Sequence, residues 1–337
     1  MAYRTILLHL DHDRQNGVRL DLCLGLARDL GAHLIGLHVT PVPMLPYVYG
    51  EVSVAGLGPD FLETQRAHAA ERAAPLRAAF EAAGARDGLS FEWRTDEGDA
   101  GPVVARHARY ADLTVVGQTE PEALETVLGA RLPEQVALGG GGPTLMVPYA
   151  GAFGAGGLGR RPLVAWNGSR EAARALHDAL PLLRARAEQV IVLEVDPPDD
   201  GGPGLRAMEA AKVLARHGLK VDAQYTVSGG LPAGDVLLSR LSDFGCDLLV
   251  MGAYGHSRAR ELVLGGATRS LLDHMTVPVL MAHGRGGVWR TRVAGARGRA
   301  SRLTRGSRSR AAFESAFEHP SGARPPPPAG RRPSVRG

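Results

Sequence analysis

One alternation of strands and helices occurs twice along this chain, and that repeat constrains the fold more than any other feature. LVAWN at 163–167 aligns with LLHLD at 7–11, and LEVDP at 193–197 with LHVTP at 37–41, both at an offset of 156. CDLLVMG at 246–252 aligns with ADLTVVG at 111–117, and Pro278–Met281 with Pro143–Met146, both at an offset of 135. Two constant offsets separated by one step of 21 residues place the whole length difference after the second strand of the unit. A Pro/Gly/Tyr/Val-rich excursion occupies that place in the first copy, at about 41–60. Tandem duplication accounts for the pattern.

Within the first copy, apolar runs predict strands at Thr5–Leu10, His33–Val39, Leu89–Thr95, Ala111–Gly117 and Thr144–Val147. Helical spacing predicts helices over about 18–30, 59–83, 100–109 and 122–138. Continuous apolar strands without alternation belong to parallel sheets buried on both faces. Strands alternating with helices give an α/β, doubly wound, Rossmann-like sheet of five strands per copy. The expected organisation is a first repeat at 1–149, a Gly-rich flexible linker at 150–160, a second repeat at 161–283 and a tail at 284–337.

Composition matters chiefly for the tail. The formal charge of +4 hides two opposite parts, because residues 284–337 hold 13 Arg against 2 acidic residues, or +11, leaving −7 for the rest. The basic balance therefore says little about what the folded part binds. The tail is rich in Arg, Gly, Pro and Ser, cannot bury enough apolar surface to fold alone, and reads as a disordered extension. It offers non-specific attraction to nucleic acid or anionic lipid, and no specific nucleic-acid binding is expected. No apolar run reaches the length of about 18 residues that a membrane span needs. The N-terminus shows no signal-peptide pattern. Cys23 and Cys246 stand in apolar settings and read as buried thiols in a reducing compartment rather than a disulfide. The expected location is the cytoplasm.

The chemistry concentrates in 247–283, DLLVMGAYGHSRARELVLGGATRSLLDHMTVPVLMAH. It reads as strand, glycine-punctuated loop, helix, strand. Gly252 and Gly255 follow the strand, and Gly265 and Gly266 precede the helix. Glycine lets a ligand lie against the backbone, and a helix N-terminus offers unpaired N–H groups and partial positive charge to an anion. In open α/β sheets such a loop lies beyond the carboxyl ends of the strands, where ligands bind. The plainer alternative is that these glycines only make tight turns.

The spacing Gly252-x2-Gly255-x9-Gly265-Gly266 resembles the nucleotide loop of the universal stress protein family, G-x2-G-x9-G-[S/T]. Gly266 departs from it, standing where the family prefers Ser or Thr, whose hydroxyl helps hold the terminal phosphates. The resemblance spans 3–283 and implies a tandem member whose domains pair through their last strands, 144–148 and 278–282 running antiparallel. It implies ATP or another adenine nucleotide as ligand, with or without Mg²⁺. The implied contacts are Asn167, where the family usually has Asp, Val195 at the adenine edge, and Met251 and Gly252 at the strand end. The loop and helix start would add Gly255, His256, Ser257, Arg258, Gly265, Gly266, Ala267 and Thr268. The resemblance further implies a role in the stress response as a sensor or partner-binding protein. A homodimer of the tandem chain and an unidentified protein partner go with it. At most slow ATP hydrolysis is expected, since no general base or metal ligand stands out.

Several of these residues carry a second reading. Asn167-Gly168 with Ser169 makes an Asn-Gly turn and helix N-cap without any ligand. His256, Ser257 and Arg258 are also what a solvated loop would contain. In the first repeat, Glu120, Pro121, Ala130 and Arg131 stand where the second has Gly255, His256, Gly265 and Gly266. A carboxylate there repels phosphate, so the second repeat is the binding half. A nucleotide-free scaffold serving dimerisation and partner binding remains the alternative. A remoter one is a serine hydrolase, because Gly255-His256-Ser257-Arg258-Ala259 approximates a nucleophile elbow, with Asp273 and His274 or His283 as triad partners. Ala259 at the fifth position, the larger continuous sheet normal to hydrolases and the duplicated five-strand pattern count against it. No HExxH or CxxC spacing suggests a metal, and the absence of a G-x4-G-K-[S/T] motif excludes a P-loop hydrolase.

Overall fold

The computed structural model describes residues 2–11, 15–41, 59–119, 131–151, 153, 158–197, 202, 204–253 and 266–283, with backbone only for 59–62, 65, 66, 266 and 267. The tail at 284–337 and the loop at 254–265 lie outside the described residues, as do 42–58 and 120–130. The first repeat runs β1 (Thr5–His9), α1 (Asn16–Leu30), β2 (His33–Thr40), α2 (Pro59–Arg86), β3 (Phe91–Glu97), α3 (Ala100–Ala108), β4 (Leu113–Gly117), α4 (Leu132–Gly139) and β5 (Thr144–Val147). The second runs β6 (Pro162–Trp166), α5 (Arg170–Arg186), β7 (Val190–Val195), α6 (Leu205–Arg216), β8 (Val221–Thr226), α7 (Ala233–Asp243), β9 (Leu248–Gly252), α8 (Gly266–His274) and β10 (Val279–Ala282).

All ten strands form one sheet in the order β3-β2-β1-β4-β5-β10-β9-β6-β7-β8. Every pairing is parallel except β5 with β10, where Val279, Leu280 and Met281 oppose Met146, Leu145 and Thr144. The expected antiparallel contact of the last strands is therefore present, and it makes the two five-stranded halves continuous. Sheet continuity thus does not argue against a hydrolase here; the repeated strand order does. Alternate strand residues feed two cores. Leu8, Leu34 and Val164 pack with α1, α2, α5 and α6, while Leu7, Ile35 and Leu163 pack with α3, α4, α7 and α8. Burial on both faces is why these strands are apolar throughout.

The register refines the reading of the duplication. Leu7 pairs with Ile35 as Leu163 does with Ile191, and Thr114 with Thr144 as Leu249 does with Val279, so the offsets of 156 and 135 hold in space. Leu34 pairs with Phe91 as Val190 does with Val221, which sets the β3/β8 offset at 130. The length difference is therefore not confined to one place after the second strand: the offset falls by 26 between the second and third strands and recovers 5 before the fourth. The edge strands β3 and β8 are half-exposed, and their sequences diverged too far to reveal this.

Each repeat pins its first strand to its fourth with a carboxylate. Asp112 accepts from the amides of Arg4 and Thr5 at 2.7 and 2.9 Å, and Asp247 from those of Arg160 and Arg161 at 2.8 and 3.1 Å. The repeats also meet off the sheet, where the Tyr3 hydroxyl donates to the Asp178 carbonyl and Arg186 pairs with Asp29 at 2.5 Å. The linker is not a free tether where it is described: Leu158 is buried in the core and Phe153 packs against it. Both cysteines are free and buried. No helix among the described residues is long and apolar enough to cross a membrane.

Candidate functional site

In each repeat the chain winds out from its first strand in both directions. In the second repeat the reversal falls between β6 and β9, which pair directly. The crevice at their carboxyl ends is where open α/β sheets take ligands. Asn167 follows β6, Val195 ends β7, and Met251 and Gly252 end β9. A crossover helix runs back against its strands, so α8 begins at this edge and ends at the other. Thr268, in its first turn, is half-buried. The structure thus brings Asn167, Val195, Met251, Gly252 and the start of α8 to one edge. Gly255, His256, Ser257, Arg258 and Gly265 lie outside the described residues, and of Gly266 and Ala267 only the backbone is described.

Two of these residues have local work to do. The Asn167 side-chain oxygen accepts from the Ser169 amide at 3.0 Å, Gly168 takes φ +73°, and the Ser169 hydroxyl caps α5 by accepting from Ala172 at 3.1 Å. The turn expected from the sequence is there, and it uses one lone pair of the Asn167 oxygen, leaving the second lone pair and the amide nitrogen for a ligand. At Gly252 a Cβ would sit 2.5 Å from the Ala172 nitrogen and 2.5 Å from the Glu171 carbonyl carbon. The first turn of α5 lies directly on the end of β9, which requires glycine whether or not a ligand binds.

Other residues gather here that the sequence did not single out. Arg206 of α6 reaches Glu194 at 3.4 Å and the Asn167 carbonyl at 3.5 Å, placing a cation beside the turn. Glu194 is buried and its Oε2 has no hydrogen-bond partner, nor has the buried Nε1 of Trp166 at the paired register position. The partners of Arg206 lie 12 and 39 residues away, so no local pattern marks it.

The equivalent edge of the first repeat carries buried polar side chains. Asp11, the counterpart of Asn167, pairs at 2.5 Å with Arg19, which is wholly buried. His38 bonds the Leu10 carbonyl at 2.8 Å. His9 is buried 3.8 Å from Asp11, and burial pulls its imidazole down to about 4. Arg131, the counterpart of Gly266, places its guanidinium 2.8 Å from Asp273 and 3.3 Å from Glu134. Burial raises the Glu134 carboxyl above its usual range. Glu120, Pro121 and Ala130 lie outside the described residues.

Paired doubly wound repeats with a glycine loop after the fourth strand of the second point to one family, and the sequence pattern of the universal stress protein family matches residues 2–148 and 160–283. The chain belongs to the universal stress protein family. It is 39% identical over 71 residues to the universal stress protein Slr1230 of Synechocystis, an alignment spanning 21% of this chain and 24% of that protein. Among solved structures it resembles a universal stress protein from Archaeoglobus fulgidus at a TM-score of 0.64 and 18% identity, over 83% of this chain and 96% of that one. It also resembles the functionally unknown protein PA1789 of Pseudomonas aeruginosa at 0.52 and 17%, over 84% and 93%. At these identities the structures establish the fold alone.

Ser257, the nucleophile of the candidate triad, lies outside the described residues, and its suggested partners each make a contact of their own. Asp273 is bound by Arg131, His274 bonds the Ser270 carbonyl at 2.8 Å, and His283 bonds the Ala253 carbonyl at 3.4 Å. No group of three or more His, Cys, Asp or Glu suited to a metal ion occurs among the described residues.

Proposed function

We propose that the second repeat binds an adenine nucleotide in the crevice between β6 and β9 and that the chain acts in stress adaptation as a cytoplasmic sensor or partner-binding protein. The observation that carries this reading is the convergence of Asn167, Val195, Gly252 and the start of α8 on one sheet edge, where the first repeat instead has the buried polar residues Arg19, His9 and His38. Base and ribose meet the ends of β6 and β7. The phosphates meet the amides of the glycine loop and of α8, which suit anions with or without Mg²⁺. Gly266 supplies an amide but no hydroxyl, so the terminal phosphate relies on backbone contacts.

A nucleotide-free scaffold is the second reading, favoured by the packing that already explains Gly252 and by the turn that uses one lone pair of the Asn167 oxygen. Isothermal titration with ATP, ADP and AMP separates the two. Binding of at least one nucleotide, lost on Gly255→Glu, is expected. No heat with any of them favours the scaffold.

A further inference from the structure

We infer that Gln118 and Arg131 of the first repeat are positioning residues for phosphate binding by the second, holding α8 by its C-terminal end, a role that deepens the nucleotide reading and rests on it. This helix has nine residues, so it is only about 13 Å long. Its last carbonyls have no partner within the helix. Gln118 supplies one across the repeat boundary, its Nε2 donating to the carbonyls of Leu272 at 2.6 Å and Asp273 at 3.2 Å.

The carboxamide is itself clamped. Its oxygen accepts from the Tyr149 amide at 3.0 Å, and the Gln118 backbone amide donates to Val147 at 2.7 Å. Beside it Arg131 donates to the Asp273 carboxylate at 2.8 Å, a cation at the negative end of the helix. These residues wall a cavity of ≈ 380 Å³ between the two halves, with Met146 and Met275 on its apolar side. The contact runs one way. At the offset of 135 the second repeat has Ala253 for Gln118 and Gly266 for Arg131, so it cannot return the same bonds. Substitutions that read as decay of the first loop therefore tether the helix whose other end faces the proposed phosphates. A helix this short moves as one body, so freeing one end displaces the amides at the other.

The test compares ATP with adenosine, which lacks phosphate, on the full chain. Gln118→Met and Arg131→Met are each expected to weaken ATP binding about tenfold, as loss of one or two tethering bonds implies, and to leave adenosine affinity unchanged. Arg131→Lys is expected to restore most of the ATP affinity. Equal weakening of both ligands would mean general loosening and would overturn the inference, as would unchanged ATP affinity. Should Gln118→Met not fold, the Arg131 pair carries the same comparison. If the unsubstituted chain takes up neither ligand, the proposed function falls and this inference with it.

Discussion

Adding one methyl group at Gly252 tests the packing that shapes the crevice. A Cβ there would stand 2.5 Å from the Ala172 nitrogen, 2.5 Å from the Glu171 carbonyl carbon and 2.8 Å from the Glu171 Cβ. Non-bonded carbons rest about 3.5–4.0 Å apart, so the overlap is about 1 Å and falls mainly on backbone. The first turn of α5 is poorly able to retreat. Ser169 caps it at 3.1 Å, Glu171 is buried, and Arg170 pairs with Glu171 at 2.5 Å. Overpacking costs about 1–3 kcal/mol, and a clash with backbone belongs at the upper end. At about 2–4 °C per kcal/mol for a body of this size, Gly252→Ala should melt about 6–12 °C below the parent by calorimetry. Gly17→Ala is the control. Gly17 is the second residue of α1, where an added Cβ would meet nothing within 4 Å, so alanine should leave the melting point unchanged or slightly higher. A Gly252→Ala melting point equal to the parent's or higher would refute the packing argument.

Three further outcomes are expected. Asp112→Ala and Asp247→Ala should each destabilise by about 2 kcal/mol in urea unfolding, since each carboxylate accepts from two amides. Their effects should add to within about 0.5 kcal/mol in the double variant, and strong non-additivity would mean the two clamps are coupled. Burial lowers the folded pKa of His9 to about 4 from 6.5, so the unfolded chain binds its proton first. The stability from neutral His9 is complete above pH 6.5 and drains by about 3 kcal/mol as pH falls toward 4, with Asp11 opposing the shift and Arg19 and His38 reinforcing it. Urea midpoints of His9→Leu should vary less over that window than the parent's, and an identical profile would remove His9 as the cause. Burial also pushes both thiols up, Cys246 to about 11, so mass spectrometry should find neither Cys23 nor Cys246 alkylated by iodoacetamide until the chain is unfolded.

Much of the architecture is legible in the order of residues. Runs such as Leu248–Met251 and Ile6–Leu8 announce buried parallel strands because both faces of each strand must be apolar, a demand met within five or six consecutive residues. The β3/β8 equivalence was hidden, because half-exposed edge strands tolerate polar residues and lose their likeness. At the proposed site, glycine spacing singles out the end of β9, since conformational freedom is a property of the residue itself. It could not say that Gly252 is crowded by Ala172, 80 residues earlier, or that the Asn167 oxygen turns back to Ser169.

The amino-acid order alone therefore determined the repeat, the alternation of strands and helices, and which half carries the glycine-spaced stretch. These depend on periodicity and residue type, which act over a few neighbours. Tertiary structure alone decided which long-range partners meet: Gln118 with the end of α8, Arg131 with Asp273 across 142 positions, Arg206 with Glu194. The first two are set by how the two halves are laid together along β5 and β10, and the third by how α6 packs back beside β7, geometry that no local stretch of chain carries.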